Sequence, residues 1–204
     1  PLRQTLARFN DFQMANRFTS ACSPNIYLDQ KLGDEVYGSA FICEPVHNLV
    51  HREVMQVEGA SWTSQRVEGE LRSEFLASRD SWFRPVMVRT APDGSLWVAD
   101  MYRLVIEHPE WIPEEQQARM NLRSGHDRGR IYRIKRIGGE PQKLIQIDGR
   151  DIKQCLKGLE SSNGWVRDMA QQLILWNEHR ETRSALRELL RQHKRPTVSY
   201  THLR

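Results

Sequence analysis

The residues best suited to chemistry stand at the two ends of one apolar hairpin, WFRPVMVRTAPDGSLWVADMYR, residues 82–103. Trp82 and Arg84 lie at its entrance, and Asp100, Tyr102 and Arg103 at its exit. In an antiparallel pair the start of the first strand lies beside the end of the second, so these side chains are expected on one rim. The Pro92-Asp93-Gly94 turn falls at the other end. By the same reasoning Glu44, His47 and Asn48, which follow the strand-like GSAFICEPV, residues 38–46, close an equivalent rim. The excursion 104–128 leaves from the Arg84 rim and is expected to bring His108 and His126 near it. Arginine and protonated histidine can hold an anion, and tryptophan and tyrosine can stack on a flat ring or a sugar. The other reading is that Arg and Asp at strand ends pair with each other and only close the sheet.

The elements that must place these residues follow from periodicity. FTSACSPNIYL (18–28) and GSAFICEPV are short strand-like runs, and LVHREVMQVEG (49–59) alternates, with Val50, Arg52, Val54 and Gln56 on one face. SWTSQRVEG follows a short turn. In the hairpin Val86, Val88 and Thr90 share a face, and proline and glycine punctuate the turn. GRIYRIKRI (129–137) is a further strand, and Pro113-Glu114-Glu115 suits a short helix start. Short antiparallel strands in this rhythm point to a sandwich, barrel or propeller, and the unit around the PDG turn has the form of a propeller blade. At roughly 40–50 residues per blade, the first 137 residues make two to three blades, too few to close a ring. The chain is therefore expected to be a piece of a longer one.

A second regime follows. Residues 1–137 are expected to be the last blades of a propeller and 138–147 a linker. Residues 148–196 read as the start of HEAT-like helical hairpins, giving a mainly β fold followed by α. DIKQCLKGLES presents Ile152, Cys155, Leu156 and Leu159 on one face. Asn163 caps NGWVRDMAQQLILWNE, whose Trp165, Met169, Leu173 and Trp176 form a stripe expected in the core, and RETRSALRELLRQH adds Leu186, Leu189 and Leu190. Residues 197–204, with VSYTHLR, resemble the translated adapter sequence that ends many metagenomic reading frames, and are expected to be foreign to the natural chain.

The 204 residues carry a net charge of +4 with acidic and basic residues interleaved, so a nucleic-acid groove is not expected. No stretch approaches the roughly 18 apolar residues of a membrane span. Cys22, Cys43 and Cys155 have no metal-ligand or CxxCH spacing. Cys22 and Cys43 are either a disulfide or two small buried hydrophobes, and Cys155 is a buried helix thiol.

The ordered blocks FTSACSPNIYLDQKLGDEVYGSAFICEPVHNLVHREV, WFRPVMVRTAPDGSLWVADMYR, HPEWIP, GHDRGRIYRI and LESSNGWVRDMAQQLI resemble the putative membrane-bound dehydrogenase family, also called PVC-type haem-binding CxxCH proteins. The resemblance runs from about Arg8 to Arg195. It implies a periplasmic or extracytoplasmic protein with a six-bladed propeller, HEAT-like helices and a cytochrome domain elsewhere in the same chain. The propeller part is similar, more distantly, to quinoprotein dehydrogenases of the glucose/sorbosone type. That similarity implies pyrroloquinoline quinone with calcium as cofactor in the full-length protein, c-type haem only outside this stretch, and a sugar or polysaccharide-derived substrate. Arg84 matches the arginine that contacts the quinone, while Trp82 and His47 stand where such enzymes carry further basic residues. On this reading Arg84, His47, Asp100, Trp82, Tyr102 and Arg103 line a cofactor rim. The alternative is a non-catalytic module that binds carbohydrate or a protein partner, with Trp82, Tyr102, Trp111 and Arg103 as its stacking surface.

Overall fold

The computed structural model describes residues 18–139, 144–177 and 182–192. The expected tail at 197–204, the start of the chain and the middle of the linker lie outside them. Two antiparallel sheets come first and helices follow, so the fold is mainly β and then α. Two compact units divide it. Among the described residues the first holds 18–27, 38–89 and 96–134, and the second holds 28–37, 90–95 and the residues from 135 onward.

In the first unit β1 (Cys22–Ile26), β2 (Ser39–Glu44), β3 (Leu49–Glu58) and β4 (Ser61–Arg66) pair in sequence order, and the two-residue β5 (Leu76–Ala77) pairs with the start of β3. The second sheet runs β6 (Pro85–Thr90), β7 (Leu96–Asp100), β8 (Arg130–Ile134). Hydrophobic alternation sets which face goes inward: Val88, Leu96 and Val98 are buried while Met87 and Trp97 are exposed. Tyr27, Phe41 and Phe75 meet edge to face beneath the first sheet. The start of β3 departs from simple alternation, because His51 and Arg52 are buried as well as Leu49 and Val50. Each polar side chain finds a partner. The His51 ring nitrogens meet Glu74 Oε2 and Glu53 Oε1, both at 2.6 Å, and Arg52 Nη2 lies 3.2 Å from Glu70 Oε1.

The two sheets touch through β1 and β6. A register shift between Cys22 and Asn25 puts Ser23 at φ +52°, and its Oγ accepts the Val88 N–H at 3.1 Å and Arg89 Nη1 at 3.0 Å. The excursion after β7 holds the four-residue α1 (Glu114–Gln117), which starts at Pro113 as the sequence suggests.

The second unit contains α2 (Ile152–Leu159), α3 (Gly164–Asn177) and α4 (Thr182–Gln192). Asp151 caps α2, accepting the Lys153 N–H at 2.9 Å. Asn163 caps α3, accepting the Val166 N–H at 3.2 Å, while its Nδ2 donates to Ala91 O at 2.9 Å. Cys155, Leu159, Ala170 and Ile174 form the helical core, with Leu173, Leu186 and Leu189 packed on it. The expected stripe on α3 holds only in part: Leu173 packs on the core, but the buried residues of α3 are Gly164, Val166, Ala170 and Ile174, and Trp176 is 66% exposed. The close approach of α2 at Gly158 admits only a small residue opposite. A Cβ on Gly158 would lie 2.7 Å from Ala170 Cβ, and a bulky side chain at position 170 has no room.

Candidate binding rim

The rim forms as the hairpin geometry requires. Met101 N–H donates to Arg84 O at 2.9 Å and Arg103 N–H to Trp82 O at 3.0 Å, so the strand entrance and exit face each other. The turn after β2 arrives at the same place. Asn48, buried and at φ +58°, directs its Nδ2 to Phe83 O and, at 3.3 Å, to Ser81 O. His47 is buried in the same turn.

Arg84 is buried, and its guanidinium faces main-chain carbonyls. Nε donates to Arg103 O at 2.9 Å, Nη1 to Pro45 O at 2.9 Å and Val46 O at 3.3 Å, and Nη2 to Leu104 O at 2.8 Å. Burial draws its pKa below the ordinary guanidinium value, against the pull of Glu107, Asp100 and Asp80. Asp100 is equally enclosed. Its Oδ1 accepts the N–H groups of Arg84 at 2.7 Å and Tyr102 at 2.8 Å, and its Oδ2 lies 3.1 Å from Arg130 Nε. Arg103 Nη1 donates to Met101 O and Tyr102 O, each at 3.2 Å, and to Gly125 O. Glu44, fully buried, accepts the Thr19 and Ser20 N–H groups at 3.1 Å each and the Ser20 hydroxyl.

The aromatic residues are less enclosed. Trp82 and Tyr102 are half-buried, with ring centroids 5.4 Å apart and planes at 38°. Arg130 lies 3.7 Å from the Tyr102 centroid and 5.5 Å from that of Tyr132, and its Nη2 reaches Asp80 Oδ2 at 3.2 Å. Burial opposes the charge of Arg130, but Asp80, Tyr132 and Asp100 hold its pKa above the ordinary value. Tyr102 sits at φ +51°, an unusual conformation for an aromatic residue, held by Asp100 on its N–H. Gly125 packs on its carbonyl, where a Cβ would lie 2.2 Å from Tyr102 O. Arg130, Asp80 and Gly125 were not singled out from sequence. The pairing of Asp100 with Arg130 across β7 and β8 is the signal that could have found the first.

His108 and His126 make local, exposed contacts: His108 Nδ1 accepts the Glu110 N–H at 3.3 Å, and His126 Nδ1 lies 3.2 Å from Arg123 O. Trp111 is exposed on the short 3-10 turn Pro109–Trp111. Cys22 and Cys43 are cross-strand partners, and both thiols are free.

An anionic quinone needs cationic donors that are not already used. The guanidinium groups of Arg84 and Arg103 are turned to carbonyls, and among the described residues no group of three or more His, Cys, Asp and Glu side chains could hold a metal ion. Of the rim's cations, Arg84 is thus committed to the frame of the fold.

Two antiparallel sheets with a closed-up polar rim, followed by helices, define a mainly β scaffold with a helical unit. Over residues 1–137 the chain matches the family described as a domain of unknown function (DUF7133), and it belongs to that family. No curated protein and no solved structure matches the chain. No helix among the described residues is long and apolar enough to cross a membrane.

Proposed function

We propose that this chain is the sugar-holding part of an extracytoplasmic protein built like the glucose/sorbosone dehydrogenases. Its two sheets would be blades of a β-propeller and its helices the first HEAT-like hairpins. The meander order within each sheet and the hydrogen bonds from Val88 and Arg89 to Ser23 support the propeller reading, because inner strands of neighbouring blades run side by side. The observation that carries the functional reading is the half-buried Trp82–Tyr102 pair backed by Arg130. In this reading Arg84 and Asp100 are the frame and the aromatic pair is the surface that meets the ligand. A quinone with calcium, and the c-type haem that accepts electrons, would be held by residues outside this chain's rim.

A second reading, a propeller module that binds carbohydrate without chemistry, is favoured by the use of Arg84's donors on carbonyls. Calorimetric titration of a panel of hexoses and oligosaccharides into the protein, and of pyrroloquinoline quinone with calcium into its full-length form, separates the two. Sugar binding that Trp82→Ala removes, together with quinone binding, makes a dehydrogenase. Sugar binding alone makes a binding module. No sugar binding by folded protein overturns both.

A further inference from the structure

Cys22 and Cys43 stand directly opposite each other on β1 and β2. Opposed residues of an antiparallel pair put their side chains on the same face, with Cα atoms roughly 4.5–5.5 Å apart. That spacing falls inside the roughly 4.4–6.8 Å range of disulfides. Two further observations distinguish this pair from two core thiols. β1 is the outer strand of its sheet, so within the sheet only β2 holds it. The ladder is also interrupted just beyond Cys22, where Ser23 takes a positive φ.

We propose that Cys22 and Cys43 form a cross-strand disulfide that staples the edge strand β1 to β2 when the protein meets a dithiol–disulfide oxidant. The setting rests on the extracytoplasmic reading above, whereas the geometry does not. Exposure orders the steps. Cys22 is partly exposed and Cys43 fully buried, so the Cys22 thiolate attacks the oxidant's disulfide and releases one of its sulfurs as a thiolate. Cys43, losing its proton, then attacks Cys22 Sγ in the mixed disulfide and expels the second sulfur. Two electrons and two protons pass from the protein to the oxidant, whose two sulfurs leave as thiols.

Burial and the neighbouring Cys22 push the Cys43 thiol up to about 12, and burial and Glu44 raise Cys22. Both are thiols at neutral pH, so oxidation by air alone should be slow and an added disulfide oxidant should be needed. The product also trades one contact for another. Cys22 Sγ now lies 3.7 Å from Val86 O on β6, and the disulfide has no S–H to offer that carbonyl.

The test is to incubate the purified, reduced chain with oxidised glutathione, block remaining thiols under denaturing conditions, and map the peptides by mass. The expected result is one linked peptide pair joining Cys22 to Cys43, lighter by two hydrogens than the reduced pair, with Cys155 alkylated. Cys155→Ser should leave the link intact, and the oxidised chain should melt at a higher temperature than the reduced one. Alkylation of both Cys22 and Cys43 in folded, oxidant-treated protein, or mixed glutathione adducts that never resolve, would overturn the proposal. Neither readout depends on whether a sugar binds.

Discussion

The backbone N–H of Arg84 donates to Asp100 Oδ1 at 2.7 Å, and the same oxygen accepts the Tyr102 N–H at 2.8 Å. One buried carboxylate thus ties the first residue of the rim to the last turn of the hairpin, while the Arg84 guanidinium reaches across to the carbonyls that follow β2. Removing either side leaves several buried polar groups with no partner, and such groups are costly.

Arg84→Ala should therefore be a stability mutant. We expect a loss of about 3 kcal/mol or more in chemical denaturation, since a buried hydrogen-bond hub is removed. Arg84→Lys should recover little, because one ammonium cannot reach carbonyls on two sides. A near-normal midpoint in Arg84→Ala would show that the clamp is not what holds the rim.

Gly125→Ala should distort the rim at Tyr102. Gly125 has φ +86°, and the added methyl would meet Tyr102 O. The left-handed conformation alone costs ~1–2 kcal/mol. Equilibrium unfolding should show at least that loss, with a change in the near-ultraviolet signal of the Trp82–Tyr102 pair. An unchanged midpoint would contradict the packing described.

Asn163→Ala should weaken the second unit. It removes the α3 cap and one of two donors to the Ala91 carbonyl, which keeps the Gly94 N–H, a loss of roughly 1–2 kcal/mol. Asn163→Asp keeps the cap oxygen but not the donor, and should fall between the two. Thermal melts followed by helical circular dichroism check the order.

Acid should loosen the helices through Asp148 and Asp151. Hydrogen bonds from Arg150 hold the Asp148 carboxyl below its ordinary value, and those from Gln154, Lys153 and the Gln154 N–H do the same for Asp151. For a depressed carboxyl the stabilisation is complete above the unfolded-state value of 3.8 and is lost as the pH falls through the folded one. Melting midpoints should drop below about pH 4, and Asp148→Asn with Asp151→Asn should flatten that drop. A midpoint rising in acid would reverse the sign argued here.

Much of the scaffold was legible in the sequence. Alternation over 85–90 and 96–100 identified β6 and β7, and Pro92-Asp93-Gly94 placed the turn, closed by Gly94 N–H on Ala91 O at 3.0 Å. Asn163 before a helical run marked a cap. Such signals are local, because each rests on one residue's own backbone preferences or on neighbours a few positions away. The meeting of Arg84 with Asp100 and Tyr102 at one end of the hairpin also followed, since antiparallel pairing dictates which strand ends meet.

What the tertiary structure decided is what those residues do there. Sequence shows an arginine at a rim, but only the carbonyls of Pro45, Arg103 and Leu104, brought in from two other segments, turn its guanidinium inward. Sequence shows an apolar stripe on α3, but only the packing of α2 reveals that Ala170, close beside Gly158, is buried while Trp176 is exposed. Tyr102 carries no mark of its positive φ, which is imposed by Asp100 on one side and Gly125 on the other. In each case the deciding partner lies far along the chain, and a side chain's direction is set by which unpaired polar group or open volume it meets after the chain has folded.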